Sequence, residues 1–272
     1  MSVAVNQAGL PSPFRQVPGF FRVSQLVPDD QDVVTIPVGT TVGDALNLMR
    51  THSFDQLPVI TAGNRVVGTF THRSFARELR SIRPQDNPLS VPVDDLVEDL
   101  QFVRSSHHID DILGFLEIDH AVLVGDEDRL LAIVTATDLN RFLWDRTRPF
   151  VLLQDIELAV RDLMRSSCTA DELVGSISVG LPLGPDRVSA RLEDLTLSEL
   201  FSVLLHGPSF GRFFRICFRA NRELVRATLE PVVEIRNKVF HFRDEVSGGE
   251  VQTLIDVTNW LRRKILTRDG ER

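Results

Sequence analysis

The first half of this chain is written twice, and that repeat limits what it can fold into more than any other feature. Phe54-Asp-Gln-Leu-Pro-Val-Ile60 lines up with Ile118-Asp-His-Ala-Val-Leu-Val124 at an offset of 64, and the alignment runs without a gap through Leu79 and Leu143. Asp55 meets Asp119, Arg65 meets Arg129, Thr71 meets Thr135 and Arg77 meets Arg141. Upstream, Val42-x-x-Ala-Leu46 meets Ile109-x-x-Ile-Leu113 at an offset of 67, so the second copy is three residues shorter there. Each copy reads alike. A short strand (Val33–Ile36; Phe102–Val103) precedes an amphipathic helix (Val42–Met49; Ile109–Leu116). Two apolar strands follow (Leu57–Ile60 and Val66–Phe70; Ala121–Val124 and Leu130–Val134), joined by a turn rich in Gly and Asp. A second helix closes the copy (Ser74–Arg80; Asp138–Phe142).

This β-α-β-β-α order, repeated over residues 23–145, resembles a tandem pair of CBS domains, copy one about 23–82 and copy two about 91–145. Such pairs dock about a pseudo-twofold axis and often bind adenine nucleotides in the clefts between copies. The family's nucleotide signature is G-h-h-[ST]-x-x-D, h being apolar, after the last strand. The hydroxyl bonds a phosphate, and the carboxylate accepts from ribose hydroxyls. Thr135 and Asp138 keep both polar positions in copy two, with Ala132 in place of the Gly. Copy one keeps Gly68 and Thr71 but has Ser74 where the Asp belongs. The resemblance thus implies AMP, ADP, ATP or a related adenosine compound as a regulator, held by Thr135, Asp138 and Thr71. The plainer reading makes Thr135 and Asp138 a helix cap.

The second half reads as helices alone. Phe150 to Met164 is a connector helix whose apolar positions Val151, Leu152, Ile156, Val160 and Leu163 face one way. Ala170–Ile177 reads as a short helix, Ser178–Ala190 as a loop, and Asp194–Leu205 as a helix capped by Thr196 or Asp194. Segments 209–218, 219–243 and 250–266 complete a bundle over 146–272. In the penultimate segment Val225, Leu229, Val232, Ile235, Val239 and Phe242 recur at helical spacing. At 3.6 residues per turn, Glu234, Asn237 and His241 fall on the opposite face, within about 60° of one another. Pro231 predicts a kink or a restart. Spacing alone allows a solvated face carrying a Glu234–Lys238 pair.

Arg236-Asn237-x-x-x-His241 resembles the Arg-x(4–6)-His signature of HEPN domains. The resemblance covers about 150–266 and implies a metal-independent ribonuclease site shared across a homodimer. Arg236 would clamp phosphate, His241 would move protons and Asn237 would orient His241 or the substrate. Some relatives bind RNA without cutting it, so the alternative is a non-catalytic, nucleotide-responsive module for RNA binding or dimerisation. The expected fold class is therefore α+β: a tandem CBS pair followed by an all-α helical bundle.

Charge agrees with that division. Residues 1–190 carry 16 basic and 26 acidic side chains, a net of −10, while residues 191–272 carry 14 and 12, a net of +2. Eight of those cations lie within 209–243 (Arg212, Arg215, Arg219, Arg222, Arg226, Arg236, Lys238 and Arg243), against three acids. An RNA partner belongs there if anywhere. Cys168 and Cys217 lack metal-ligand spacing, which argues against a disulfide scaffold. No apolar run approaches membrane length and no signal-peptide pattern opens the chain, so the expected location is the cytoplasm, away from membranes. Residues 1–22, with three prolines, read as an irregular arm. Two decoys are set aside. His107-His108 with Asp110-Asp111 reads as the polar start of a helix rather than a metal site. Gly207-Pro-Ser-Phe-Gly211 spells G-x-S-x-G but follows a helix instead of the strand that a hydrolase elbow needs, so Ser209 reads as a cap.

Overall fold

The computed structural model describes residues 21–28, 31–181, 191–241 and 244–269. The expected arm falls outside them except for its last two residues, as does the greater part of the 178–190 loop. Two compact units divide the chain, the first ending at Leu143 and the second beginning at Trp144.

The first unit holds two three-stranded sheets of identical plan. In one, β1 (Ile36–Pro37) pairs parallel with β2 (Gln56–Ile60), which pairs antiparallel with β3 (Val66–Thr71). In the other, β4 (Phe102–Val103) pairs parallel with β5 (Ala121–Asp126), and β5 antiparallel with β6 (Arg129–Thr135). A parallel neighbour needs a crossover, and α1 (Val42–His52) and α3 (Leu113–Asp119) supply it. The first turn expected of the second crossover helix is a 3-10 turn, Ile109–Asp111. His108 precedes it and gives its backbone N–H to Asp111 Oδ2 at 3.2 Å. The helix α2 (His72–Glu78) closes copy one.

One alignment needs correcting. Both crossover helices end on a left-handed residue, Ser53 (φ 57°) and His120 (φ 64°), which stand 67 apart. By their ladder partners β2 and β5 stand 65 apart, since Gln56 faces Thr71 and Ala121 faces Thr135, while β3 and β6 stand 64 apart. Of the three residues missing from copy two, two therefore come out of the loop between helix and strand and one out of the hairpin turn that follows. Asp55 lies in that loop while Asp119 ends α3, so the two are not structural equivalents.

Each sheet has an open edge, β3 or β6, and the segment entering the other copy covers it. Glu98 pairs with Thr69 through N–H···O bonds of 2.9 Å in both directions. On β6 the side-chain amide of Gln31 plays the part of a backbone, donating Nε2 to Ile133 O and accepting from Ile133 N, each at 3.0 Å. Gly68 lets the chain come this close. A Cβ there would lie 2.6 Å from Val97 Cγ2.

The chain leaves the first unit within α4 (Ala136–Arg165), where the expected closing helix and connector are one element with Pro149 inside it. A proline removes a single N–H from the ladder, and the apolar positions on the C-terminal side of it are buried. They are Leu153, Ile156, Val160 and Leu163. Val151, expected among them, is exposed.

In the second unit α5 (Ala170–Gly180) runs three residues past its expected end into the predicted loop. A 3-10 turn, Leu192–Asp194, precedes α6 (Leu197–Leu204), and Thr196 is the cap. Next come the single turn α7 (Gly207–Ser209), a π-helical turn (Phe210–Phe214) and α8 (Arg215–Phe218), ended by Arg219 at φ 44°. Ser209 does not cap that turn. It is buried, with Oγ 3.0 Å from His206 Nδ1. The long helices α9 (Arg222–His241) and α10 (Gly248–Asp269) finish the unit. The stripe Val225, Leu229, Val232, Ile235 and Val239 is buried against residues of α4, α6 and α10, and Phe242 lies outside the described residues. Pro231 sits within α9 without splitting it. No described helix is long and apolar enough to cross a membrane.

Glu250 holds the start of α10. It accepts from the Ser247 N–H at 2.7 Å and from Lys238 Nζ at 3.0 Å. Lys238 thus reaches across to α10 rather than back to Glu234. The Ser247 N–H first, then the Ser247 hydroxyl and Lys238, hold the carboxyl below the usual glutamate range. A depressed pKa contributes stability that is present above the unfolded value and lost as pH falls through the folded one. Glu250→Gln is expected to lower the urea midpoint at pH 7 and to shrink the fall in stability on acidification below the glutamate range. An acid limb identical to wild type would refute the assignment.

Candidate functional site

The strand-to-helix junction of copy two places the first candidate site. Thr135 ends β6 and Asp138 lies in the first turn of α4, where the helix dipole favours a carboxylate. Thr135 donates both its N–H (2.9 Å) and its hydroxyl (2.7 Å) to Asp138 Oδ2, and Asp138 N–H returns to Thr135 Oγ1 at 3.2 Å. This is a reciprocal cap, so the plainer reading of the two residues holds. It does not use them up, because Asp138 Oδ1 makes no hydrogen bond with a described residue. One turn on, Arg141 makes neither a hydrogen bond nor an ion pair with a described residue.

These side chains open into a cavity of about 670 Å³. Both copies line it: residues 31–34 and 53–56 from copy one, and Thr135 to Asp138 with Arg141 from copy two. The size suits one nucleotide. Thr71, the third candidate, also lines it, but its hydroxyl donates to Glu98 Oε1 at 2.5 Å. Ser74 is fully buried in a cap of its own: Thr71 N–H donates to Ser74 Oγ at 3.0 Å, and Ser74 N–H to Thr71 Oγ1 at 2.8 Å.

Sequence reading missed the charged network beside Thr71. Arg73 donates to Glu98 Oε2 from Nε (3.1 Å) and Nη2 (2.8 Å), to Asp119 Oδ1 from Nη2 (2.9 Å) and to Ile118 O from Nη1 (2.6 Å). Arg77 Nη1 stands 3.4 Å from the same Glu98 oxygen. The guanidinium of Arg73 is held even more firmly protonated by Glu98, then Asp119. A signal for this existed. Gln31-Asp-Val and Glu98-Asp-Leu stand 67 apart, the offset of the crossover helices.

In the second unit, Arg236 and Asn237 are in contact, Nη1 to Oδ1 at 3.2 Å. Arg236 is half-buried, its guanidinium 5.0 Å from the Phe240 ring centroid, and Phe240 meets Phe150 edge-on at 5.5 Å. His241, the last residue of α9, is exposed and bonds to no described residue. Elsewhere the basic run is partly neutralised, as where Arg222 and Arg226 both face Glu223. Among the described residues no cluster of three or more His, Cys, Asp or Glu is placed to hold a metal.

Two interlocked β-α-β-β-α copies around a cleft define the class of the first unit. Residues 23–81 match the family model for the CBS domain, and copy two repeats the same order of elements. Over 112 residues the chain is 28% identical to inosine-5'-monophosphate dehydrogenase of Methanocaldococcus jannaschii, a stretch covering 40% of this chain and 21% of that enzyme. The chain thus spans about a fifth of the length of that relative. Among solved structures, a CBS-domain containing protein from Agrobacterium tumefaciens aligns with a TM-score of 0.41 at 20% identity, over 47% of this chain and 98% of that one. CBSX2, solved in complex with AMP, aligns with a TM-score of 0.38 at 24% identity, over 44% and 94%. CBS-domain proteins are commonly adenine-nucleotide sensors and regulators.

Proposed function

We propose that the first unit binds one adenine nucleotide in the cavity at Thr135 and Asp138, and that this binding regulates a helical unit acting on RNA. The observation that carries the first part is the convergence of a hydroxyl, a carboxylate with a free oxygen, and a guanidinium on a single cavity of nucleotide size. Asp138 would accept from the ribose hydroxyls, while Thr135 and Arg141 would face the phosphate.

Calorimetric titration of the full chain with AMP, ADP and ATP tests it. Binding is expected, with a ligand-dependent rise in melting temperature. Asp138→Ala should weaken it at least tenfold, and Asp138→Asn, which keeps an acceptor for the cap, should be nearly as weak while melting close to wild type. No heat with any of the three at millimolar concentration would sink the nucleotide reading.

For the second part, the support is the pairing of Arg236 with Asn237, one turn from an exposed imidazole on a helix whose other face is core. The proposed reaction is attack of a ribose 2′-oxygen on the adjacent phosphorus. The bond to the 5′-oxygen breaks, leaving a 2′,3′-cyclic phosphate and a 5′-hydroxyl. His241 transfers the proton and Arg236 bears against the phosphate charge. One Arg–His pair is a sparse site, and two copies related by a homodimer axis would make a fuller one.

A further inference from the structure

The two clefts of the first unit are related by the repeat, yet their chemistry differs. In copy two, the position two residues past the threonine is Thr137, a short side chain on the cavity wall, whose far side Arg73 and Glu98 also line. In copy one the equivalent residue is Arg73. All three of its guanidinium nitrogens are spent on Glu98, Asp119 and Ile118 O. The entering segments differ in the same sense. Gln31 turns its amide onto the β6 backbone, leaving Thr135 and Asp138 to face the cavity. Its counterpart Glu98 covers β3 with its backbone instead. That frees its carboxylate to take the Thr71 hydroxyl, where in copy two the Thr135 hydroxyl goes to Asp138. That carboxylate is buried, its side chain 6% exposed. An incoming phosphate would meet a buried anion, and a ribose would find Ser74, wholly inside the cap, in place of a carboxylate.

We propose that Arg73 and Glu98 form a built-in plug in the chemical sense, spending the polar groups of the copy-one cleft on the chain's own ion pair, so that each chain takes one nucleotide, at the copy-two cleft alone. The inference rests on the nucleotide reading above and adds which residues set the number of sites. Arg73 and Glu98 line that cleft with their polar groups already paired, and swapping them for their copy-two counterparts should make it competent to bind.

The test counts sites by calorimetry with AMP on the full chain. Wild type is expected to bind one AMP per chain and Asp138→Ala to lose binding at the wild-type affinity altogether. The triple variant Arg73→Thr, Ser74→Asp, Glu98→Gln gives copy one the residues of copy two and is expected to bind two. Two AMP per chain in wild type, or binding of wild-type strength left in Asp138→Ala, overturns the plug. So does a triple variant that melts cooperatively yet still binds one. If the triple variant does not fold, the wild-type count and Asp138→Ala decide the matter. No binding by wild type removes the nucleotide reading, and the plug falls with it.

Discussion

Purified protein is expected to cut RNA in the presence of EDTA, and Arg236→Ala and His241→Ala are each expected to slow that cleavage at least a hundredfold. The size follows from the roles proposed. A positioned proton donor or acceptor contributes ~10²–10⁴ in rate, and removing one group that stabilises developing charge costs a similar factor. The nucleophile belongs to the substrate, so DNA should be spared and the product should end in a 2′,3′-cyclic phosphate or 3′-phosphate. Neither substitution should unfold the chain. His241 is exposed, and Arg236 lies off the buried stripe with its guanidinium over Phe240. Asn237→Ala should do less harm, since Arg236 keeps its place on that ring. Circular dichroism of each variant must match wild type for the comparison to count. If His241→Ala cuts as fast as wild type, the activity belongs to a contaminant. The helical unit then stands as a module that binds RNA or dimerises without cleaving.

The second large effect is on stability. Val239→Asp should abolish the cooperative unfolding of the helical unit. Val239 is 5% exposed and sits in the same buried cluster as Ile235 from its own helix and Leu254, Val257 and Leu261 from α10. A carboxylate there has no partner. It must either shed its charge or draw water into the core, at a cost of roughly 4 kcal/mol or more. That is a large part of the ~5–15 kcal/mol that holds a typical domain together. Ile235→Asp should behave alike, whereas Glu234→Ala, one residue away and exposed, should be within about 0.5 kcal/mol of wild type. Urea titration followed at 222 nm measures all three. A Val239→Asp midpoint equal to wild type would mean that the stripe is not the core face of α9.

The elements most legible in the sequence were those that report their periodicity twice. The order of strands and helices in the first unit follows from the repeat, because each copy supplies an independent reading of the same pattern. The α9 stripe was legible because Val225 to Val239 sit at strict helical spacing with charges between them. Loops were less legible. The register error at Asp55 and Asp119 arose because a deletion inside a loop leaves the apolar positions on both sides intact. Of the kink or restart expected at Pro231, the restart does not occur, since losing one ladder bond is outweighed when the helix is buried on its other face. In the cleft, Thr135 and Asp138 were visible through their resemblance to the family's nucleotide signature. The Arg73–Glu98–Asp119 network was not, because its members lie 21 to 25 residues or more apart and meet only through tertiary packing.

The mutual covering of β3 and β6 bears on how such a chain could have arisen. A lone copy would keep one strand with a row of unsatisfied amides and carbonyls, a template for any other strand that drifts by. Its natural remedy would be a second lone copy, each lending its leading segment to the other. Glu98 on β3 and Gln31 on β6 are that exchange made within one polypeptide. The first unit is thus built like a pair of like subunits joined in one chain. Joined so, the halves need not match, and a glutamine in one stands where the other has a glutamate.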